Sequence, residues 1–262
     1  MPLTLDVFAC VRSGDQQTLQ QNLAASPELQ NHSVPLTVLW NKTSAATAYN
    51  EALHTSKADV CVFAHSDVYF PKGWFSKLEG ALSALSARDP NWAIGALVGI
   101  AADGTWHGRA WDTGLNRLLG AVMNEPARIL SLDEFVFFVR RDAGLAFDPN
   151  VPDFHLYGCD LVLSAEQAGR SAYAVDLPVI HNSKPVARLP AGFIQAYRHV
   201  TRKWRTRLPV PGIIVTLTTD PWPLLRRRLQ IRYKGLVRKS TMNFSRLTDP
   251  RQTAIELGLE TP

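Results

Sequence analysis

The chain has 262 residues, 46% of them apolar, enough for one large α/β domain or two small ones with a sizeable core. Lys and Arg number 28 against 23 Asp and Glu, a net charge of +5 that is mildly basic and by itself names no partner. Three widely spaced cysteines (Cys10, Cys61, Cys159) with no CxxC pair exclude a zinc-ribbon or disulfide framework and read as reduced thiols.

The N-terminal MPLTLDVFACVRSGD lacks the basic start of a signal peptide, and no apolar run approaches the roughly 18 residues of a membrane span. Short apolar runs alternate with helical patterns from there on. Residues 3–11 predict a strand and 16–25 a helix. Residues 36–40 predict the second strand, followed by a helix over 44–56 that Thr43 or Ser44 can cap. The third strand is 60–64. Residues 74–88 carry Phe75, Leu78, Leu82 and Leu85 at helical spacing, and 92–100 is the fourth strand. This series argues for a mostly parallel sheet with helices on both faces.

Over 101–131 the rhythm breaks. Gly104, Gly108, Gly114, Gly120 and Pro126 predict loops and short strands over the sheet edge. A strand at 135–140, a helix at 158–167 ending at Gly169, a last core strand at 172–180 running into His181, and a helix at 192–205 complete the domain. From 208 the composition shifts. Pro209, Pro211, Pro221 and Pro223 are followed by Arg226, Arg227, Arg228, Arg232, Lys234, Arg238 and Lys239 with no acidic residue among them. The division is therefore a domain over 1–207 and a basic, Pro-punctuated extension over 208–262. No repeat or low-complexity tract is present.

The most informative stretch is VCVFAHSDVYFPKGW, where an apolar strand stops abruptly at His65, Ser66 and Asp67. Open α/β sheets place ligand chemistry at such strand ends; the same three residues also suit an ordinary turn. With SAATAYNEAL before it, and LDEFVFFVRR and FDPNVPDFHLYGCDLVLSAEQAGRSAYAVDLPVIHNS after it, the stretch resembles the family 2-like glycosyltransferases of GT-A fold, over about residues 5–204. The resemblance implies a mostly parallel central sheet flanked by helices. It also implies inverting transfer of a sugar from a nucleotide-diphosphate donor to an acceptor hydroxyl, in surface polysaccharide or glycolipid synthesis, with Mn²⁺ or Mg²⁺.

Residue by residue, Asp67 matches the second Asp of the family's Asp-x-Asp, the usual cation ligand, while His65 departs from the first Asp. A cation there offsets the charge that builds on a leaving pyrophosphate. His181 resembles the downstream histidine that completes the cation site, and imidazole favours Mn²⁺ over Mg²⁺; a hydrogen-bonded structural histidine is the alternative. Asp160, in the first turn of its helix, resembles the base that takes the acceptor proton. The position before it, commonly acidic, is Cys159, and an Asp there also suits the helix dipole.

Donor contacts are expected from Arg12, Asn41, Lys42, the helix start at Ser44, Asn50, His65, Ser66 and Asp67. Acceptor contacts are expected from Trp106 and His107, clustered with Trp111, and from Asp133, Asp153, His155 and Tyr157. The basic amphipathic stretch 221–239 suits an anionic membrane surface and a lipid-linked or glycan acceptor, or else a solvated helix face. No nucleic-acid module is present. A cytoplasmic protein, peripheral at the membrane face, is the expected setting. The rivals are a non-catalytic sugar-nucleotide-binding relative acting as a scaffold, and a nucleotidyltransferase, which the absence of a Gly-rich phosphate loop after the first strand disfavours.

Overall fold

The computed structural model describes residues 3–241 and 245–262, with side chains described up to Val237 and again from 245. Arg238 and Lys239 of the basic run thus have side chains outside the described residues. In chain order the elements begin with β1 (Leu5–Val11), α1 (Gln16–Gln21), α2 (Pro27–Gln30), β2 (Leu36–Trp40), α3 (Ala45–Thr55), β3 (Val60–Ala64), β4 (Val68–Tyr69) and α4 (Trp74–Arg88). Short strands follow: β5 (Trp92–Ala96), β6 (Val98–Ile100), β7 (Trp106–Gly108), β8 (Ala110–Asp112), β9 (Arg117–Leu119), β10 (Ala127–Arg128), β11 (Ser131–Leu132) and β12 (Val136–Arg140). The chain ends with α5 (Tyr157–Gln167), β13 (Ser171–Ala174), β14 (Ile180–His181), α6 (Ala191–Lys203), α7 (Trp222–Thr241) and α8 (Pro250–Glu256).

The main sheet has seven strands in the order β10-β13-β5-β12-β3-β1-β2. β1, β2, β3, β5 and β13 run parallel wherever they pair; β12 is antiparallel to both β3 and β5, and β10 to β13. The fold is thus α/β, with a mostly parallel sheet flanked by helices. All five residues of β3 are buried, as a central strand covered on both faces requires. On one face, α3, α5 and α6 pack Tyr49, Leu161 and Phe193 against Phe63 and Phe137. On the other, α1 and α4 pack Leu19, Leu78 and Leu82 against Val62 and Phe138.

A second, four-stranded sheet of order β4-β14-β8-β9 decides where the chemistry falls. Its register pairs His181 with Val68 on one side and with Asp112 on the other. Three segments distant in sequence are thereby brought to the point where β3 ends.

The long strand expected over 92–100 is divided at Leu97: β5 stays in the main sheet, and β6 joins a three-stranded sheet with β7 and β11. The strand expected over 172–180 likewise stops at Ala174 and resumes at Ile180 in the four-stranded sheet. Between them Val175, Leu177 and Val179 remain buried, so the hydropathy is continuous although the ladder is not. The 16–25 helix is shorter than expected, with a 3-10 turn at Leu23–Ala25. Ser44 caps α3 by accepting the Thr47 N–H at 3.5 Å.

The segment from 208 packs on the domain. Val210 and Leu217 bridge to each other inside the main core. Beyond the helix α7, residues 245–262 return to β4 and β14: the buried Glu260 carboxylate accepts from the Tyr69 hydroxyl at 2.8 Å and the Lys72 N–H at 3.1 Å.

Candidate active site

The fully buried strand β3 delivers His65 and Asp67 to its C-terminal edge, and the His65 N–H is held by the Phe135 carbonyl at 2.8 Å. β14 delivers His181 beside them. Imidazole nitrogens of His65 and His181 and a carboxylate oxygen of Asp67 lie within 4.8 Å of one another. His181 is oriented from behind. Its Nδ1 meets Asp112 at 3.1 Å, its Nε2 points toward Asp67 at 3.6 Å, and Phe135 stacks on its ring at 4.8 Å.

A carboxylate bonded to one ring nitrogen fixes the tautomer and leaves the other nitrogen for a metal ion. Two imidazoles and a carboxylate are a donor set that Mn²⁺ accepts. These residues therefore fit a divalent cation.

Burial disfavours a charged imidazole at 181, yet Asp112 and Asp67 outweigh it and push the pKa up to about 10, so an ion held at this cluster would displace the Nε2 proton. At Asp67 burial acts upward, but His181, His65 and Arg246 hold the carboxyl well below the usual range. At His65 burial outweighs the charge of Asp67, with His181 and His155 acting in the same direction as burial, and the pKa drops to about 4, which keeps a lone pair available. Arg246, from the returning C-terminal segment, completes the cluster: its Nη2 donates to Asp67 Oδ2 at 2.8 Å.

Two cavities meet at this cluster and share His65, Asp67, Phe154 and Arg246. The smaller, about 210 Å³, is lined by the loops after β1 and β2, with Arg12 and Lys42. The larger, about 990 Å³, is lined by Asp133 and Glu134 in addition to Asp67 and Asp112, and by His155.

Glu134 is the residue that reasoning from sequence missed. Its Oε1 accepts the N–H of Gly158, at the start of α5, at 2.9 Å. A Cβ at 158 would collide with Leu132 and press on the Glu134 side chain, so glycine makes the seat. Leu156, at φ 62°, turns the chain in the left-handed region just before it. Burial pushes the Glu134 carboxyl up to about 8, resisted by the N–H groups of Gly158, Leu156 and Tyr157 and assisted by the charge of Asp133. Burial raises Asp133 as well. The available signal was the Asp133-Glu134 pair directly before a strand, together with a glycine at the helix start.

The expected donor residues divide. Arg12, Lys42, His65, Ser66 and Asp67 line the smaller cavity. Asn41 lies outside it and holds the β1 loop, accepting the Ser13 N–H at 2.9 Å. Asn50 is a correction: it clasps the backbone of Phe147 through two 2.8 Å hydrogen bonds and lines neither of these two cavities. Ser44 is spent on its cap and on the Val151 carbonyl at 3.2 Å.

On the expected acceptor side, Trp106, Asp133 and His155 line the larger cavity, and His107 lines neither. Tyr157 is a second correction, since its ring is buried among Tyr49, Phe137 and Phe147. Asp160 is a third. Its side chain faces α6, where Oδ1 accepts from Trp204 Nε1 at 2.7 Å and Oδ2 from Lys203 at 2.9 Å, and it lines neither cavity. Residues two positions apart within one helical turn point in different directions, so Asp160 looks away from the side on which Gly158 meets Glu134.

No family model matches the chain. A curated protein from Fuscovulum blasticum, described as ATP synthase subunits region ORF 6, is 28% identical over 168 residues, which are 62% of this chain and 66% of that protein. Among solved structures, the chain is similar to the mannosyltransferase PcManGT from Pyrobaculum calidifontis in complex with GDP-Man and Mn²⁺, at 12% identity and TM-score 0.49, over 99% of this chain and 80% of that one. It is also similar to S. aureus TarS 1–349 in complex with UDP, at 12% identity and TM-score 0.47, over 97% of this chain and 75% of that one.

Asp160→Ala leaves the Trp204 N–H and the Lys203 ammonium without their buried acceptor, although Lys203 keeps Asp148 at 3.0 Å. The expected loss is about 2–3 kcal/mol in urea denaturation, with nucleotide affinity unchanged by calorimetry.

Proposed function

We propose that this chain is an inverting glycosyltransferase of the GT-A type, moving a sugar from a nucleoside-diphosphate donor to an acceptor hydroxyl. The observation that carries the reading is a single wall. The buttressed His65–Asp67–His181 cluster separates a small cation-lined cavity from a larger acid-bearing one, at the C-terminal edge of a mostly parallel sheet. Arg12 and Lys42 suit phosphate oxygens, and the cluster suits the cation that accompanies them. Asp67, His65 and His181 would hold that cation, which when bound would neutralise charge on the departing diphosphate.

Glu134 takes the role of general base in place of Asp160. It stands in the larger cavity, and burial leaves its carboxyl with a proton affinity near that of a useful base at neutral pH. Sugar and acceptor meet there, with Asp133 and His155 on the same wall.

The acceptor is proposed to be lipid-linked and presented at an anionic membrane. Trp222, Leu225, Leu229, Tyr233 and Leu236 form one stripe along α7 and are 44–70% exposed. Their spacing of three, four, four and three residues keeps them on one face. Arg226, Arg228 and Arg232 flank the stripe, an arrangement complementary to an anionic leaflet. The opposite face is bound to the protein: Ile231 is buried, Gly235 rests on the backbone of Ala187, and Arg227 and Lys234 line the larger cavity. The same helix thus lies between membrane and acceptor site. No helix among the described residues is long and apolar enough to cross a membrane.

Calorimetric titration of UDP, GDP and dTDP, with and without Mn²⁺, tests the donor half: metal-dependent binding of one diphosphate is expected, and failure of all three removes the reading. Glu134→Gln is expected to lower transfer by about 10²–10⁴-fold at unchanged donor affinity. The unaltered enzyme is expected to gain rate as pH rises through about 8, where the Glu134 carboxyl loses its proton. The thermal midpoint of Glu134→Gln is expected to equal or exceed that of the unaltered chain at pH 9. An acid with a raised folded pKa contributes stability below its unfolded pKa and loses it as pH rises through the folded one. Leu229→Glu with Leu236→Glu is expected to reduce cosedimentation with mixed phosphatidylcholine–phosphatidylglycerol vesicles at least about tenfold, while diphosphate affinity stays constant.

A further inference from the structure

Arg246 lies 179 positions after Asp67, in the segment that returns over the sheet edge after α7. Its guanidinium bridges two elements of the donor side: Nη2 meets Asp67 Oδ2 at 2.8 Å, and Nη1 meets the Thr18 hydroxyl of α1 at 2.7 Å. Its Nε is buried with no hydrogen-bond partner among the described residues. It lines both cavities and is, with Arg12 and Lys42, one of three cationic side chains around the smaller one.

The backbone beneath it is firmly placed. The neighbouring Leu247 exchanges hydrogen bonds with the buried Asn182, its N–H to Oδ1 at 2.9 Å and its carbonyl from Nδ2 at 3.0 Å. Asn182 follows His181 directly and also bonds Asn22 at 2.9 Å. Residues 249–260 then fasten the segment to β4 through Glu260, which also accepts from Arg251 at 2.7 Å. The chain is pinned at Leu247, while the Arg246 head group, 22% exposed, occupies the junction of the two cavities.

We propose that Arg246 is an exchangeable cation of the donor site: it holds Asp67 while the donor is absent, and moves to the donor's diphosphate when a divalent cation takes Asp67. The inference rests on the transferase reading above. Its physical basis is charge compensation. A carboxylate enclosed as Asp67 is requires a cationic partner in every state, because an uncompensated charge there costs several kcal/mol. Guanidinium and divalent cation bring competing positive charge to the same carboxylate, so the arrival of one weakens the hold on the other. A freed guanidinium in the cavity that Arg12 and Lys42 also line has a matching partner in an anion with paired oxygens, which a diphosphate is. Each state then leaves neither Asp67 nor Arg246 unpaired.

The exchange has a signature that a merely structural arginine lacks, since removing Arg246 moves two affinities in opposite directions. By calorimetry on the full chain, Arg246→Ala is expected to bind Mn²⁺ alone about tenfold more tightly, and UDP or GDP in the presence of Mn²⁺ about tenfold more weakly, each shift being the loss of one charge-assisted contact. Arg246→Gln, which keeps the stem and a donor group, serves if the alanine variant melts early, and the same two shifts are expected of it. Mn²⁺ affinity that stays constant in both variants overturns the hold on Asp67. Diphosphate affinity that stays constant overturns the transfer to the donor. If the unaltered chain binds no nucleoside diphosphate, the transferase reading falls and takes the diphosphate half of the exchange with it. The Mn²⁺ comparison still decides the hold on Asp67.

Discussion

The charge of Asp67 is the constraint around which this molecule is arranged. A carboxylate 15% exposed at the end of a fully buried strand must be compensated, and three parts of the chain converge to do so. β14 supplies His181, β8 supplies Asp112 to orient and charge that histidine, and the returning C-terminal segment supplies Arg246. None of these partners is near Asp67 in sequence. The short four-stranded sheet earns its place by holding β4, β14 and β8 in register. Its hydrogen bonds contribute modestly to stability, but they fix the distances on which the cluster depends.

The same economy governs the two carboxylates near α5. Asp160 satisfies the Trp204 and Lys203 side chains and so ties α5 to α6; Glu134, arriving from the strand side, occupies the helix start that Gly158 leaves open. One is buried with cationic and N–H partners and is structural. The other is enclosed beside a second acid with backbone N–H groups as its main support, and its proton affinity rises accordingly. Environment, not residue type, separates the two roles.

Helix α7 links the site to its surroundings. Its inner face closes the larger cavity, and its outer face leaves a stripe of large apolar side chains in water among arginines. Such a stripe on a soluble monomer is unusual unless something covers it. A surface that is at once apolar and anionic satisfies both features together.

By itself the sequence determined the alternation of strands and helices, the burial of β3, the capped start of α3, and the placement of His65, Asp67 and His181 at strand ends. Those are local matters of periodicity, apolar runs and punctuation, and they survive folding because neighbouring residues decide them. Tertiary structure alone decided the rest. Continuous hydropathy over 92–100 and 172–180 concealed the points where strands change sheets, since a buried irregular segment is as apolar as a ladder. Glu134 rather than Asp160 is the proposed base because one faces a cavity and the other α6, and a helix start seen only in sequence does not show which way its side chains look. Asp112 and Arg246 joined the site through long-range pairing, with Arg246 reaching Asp67 across 179 positions, a proximity that no local pattern encodes.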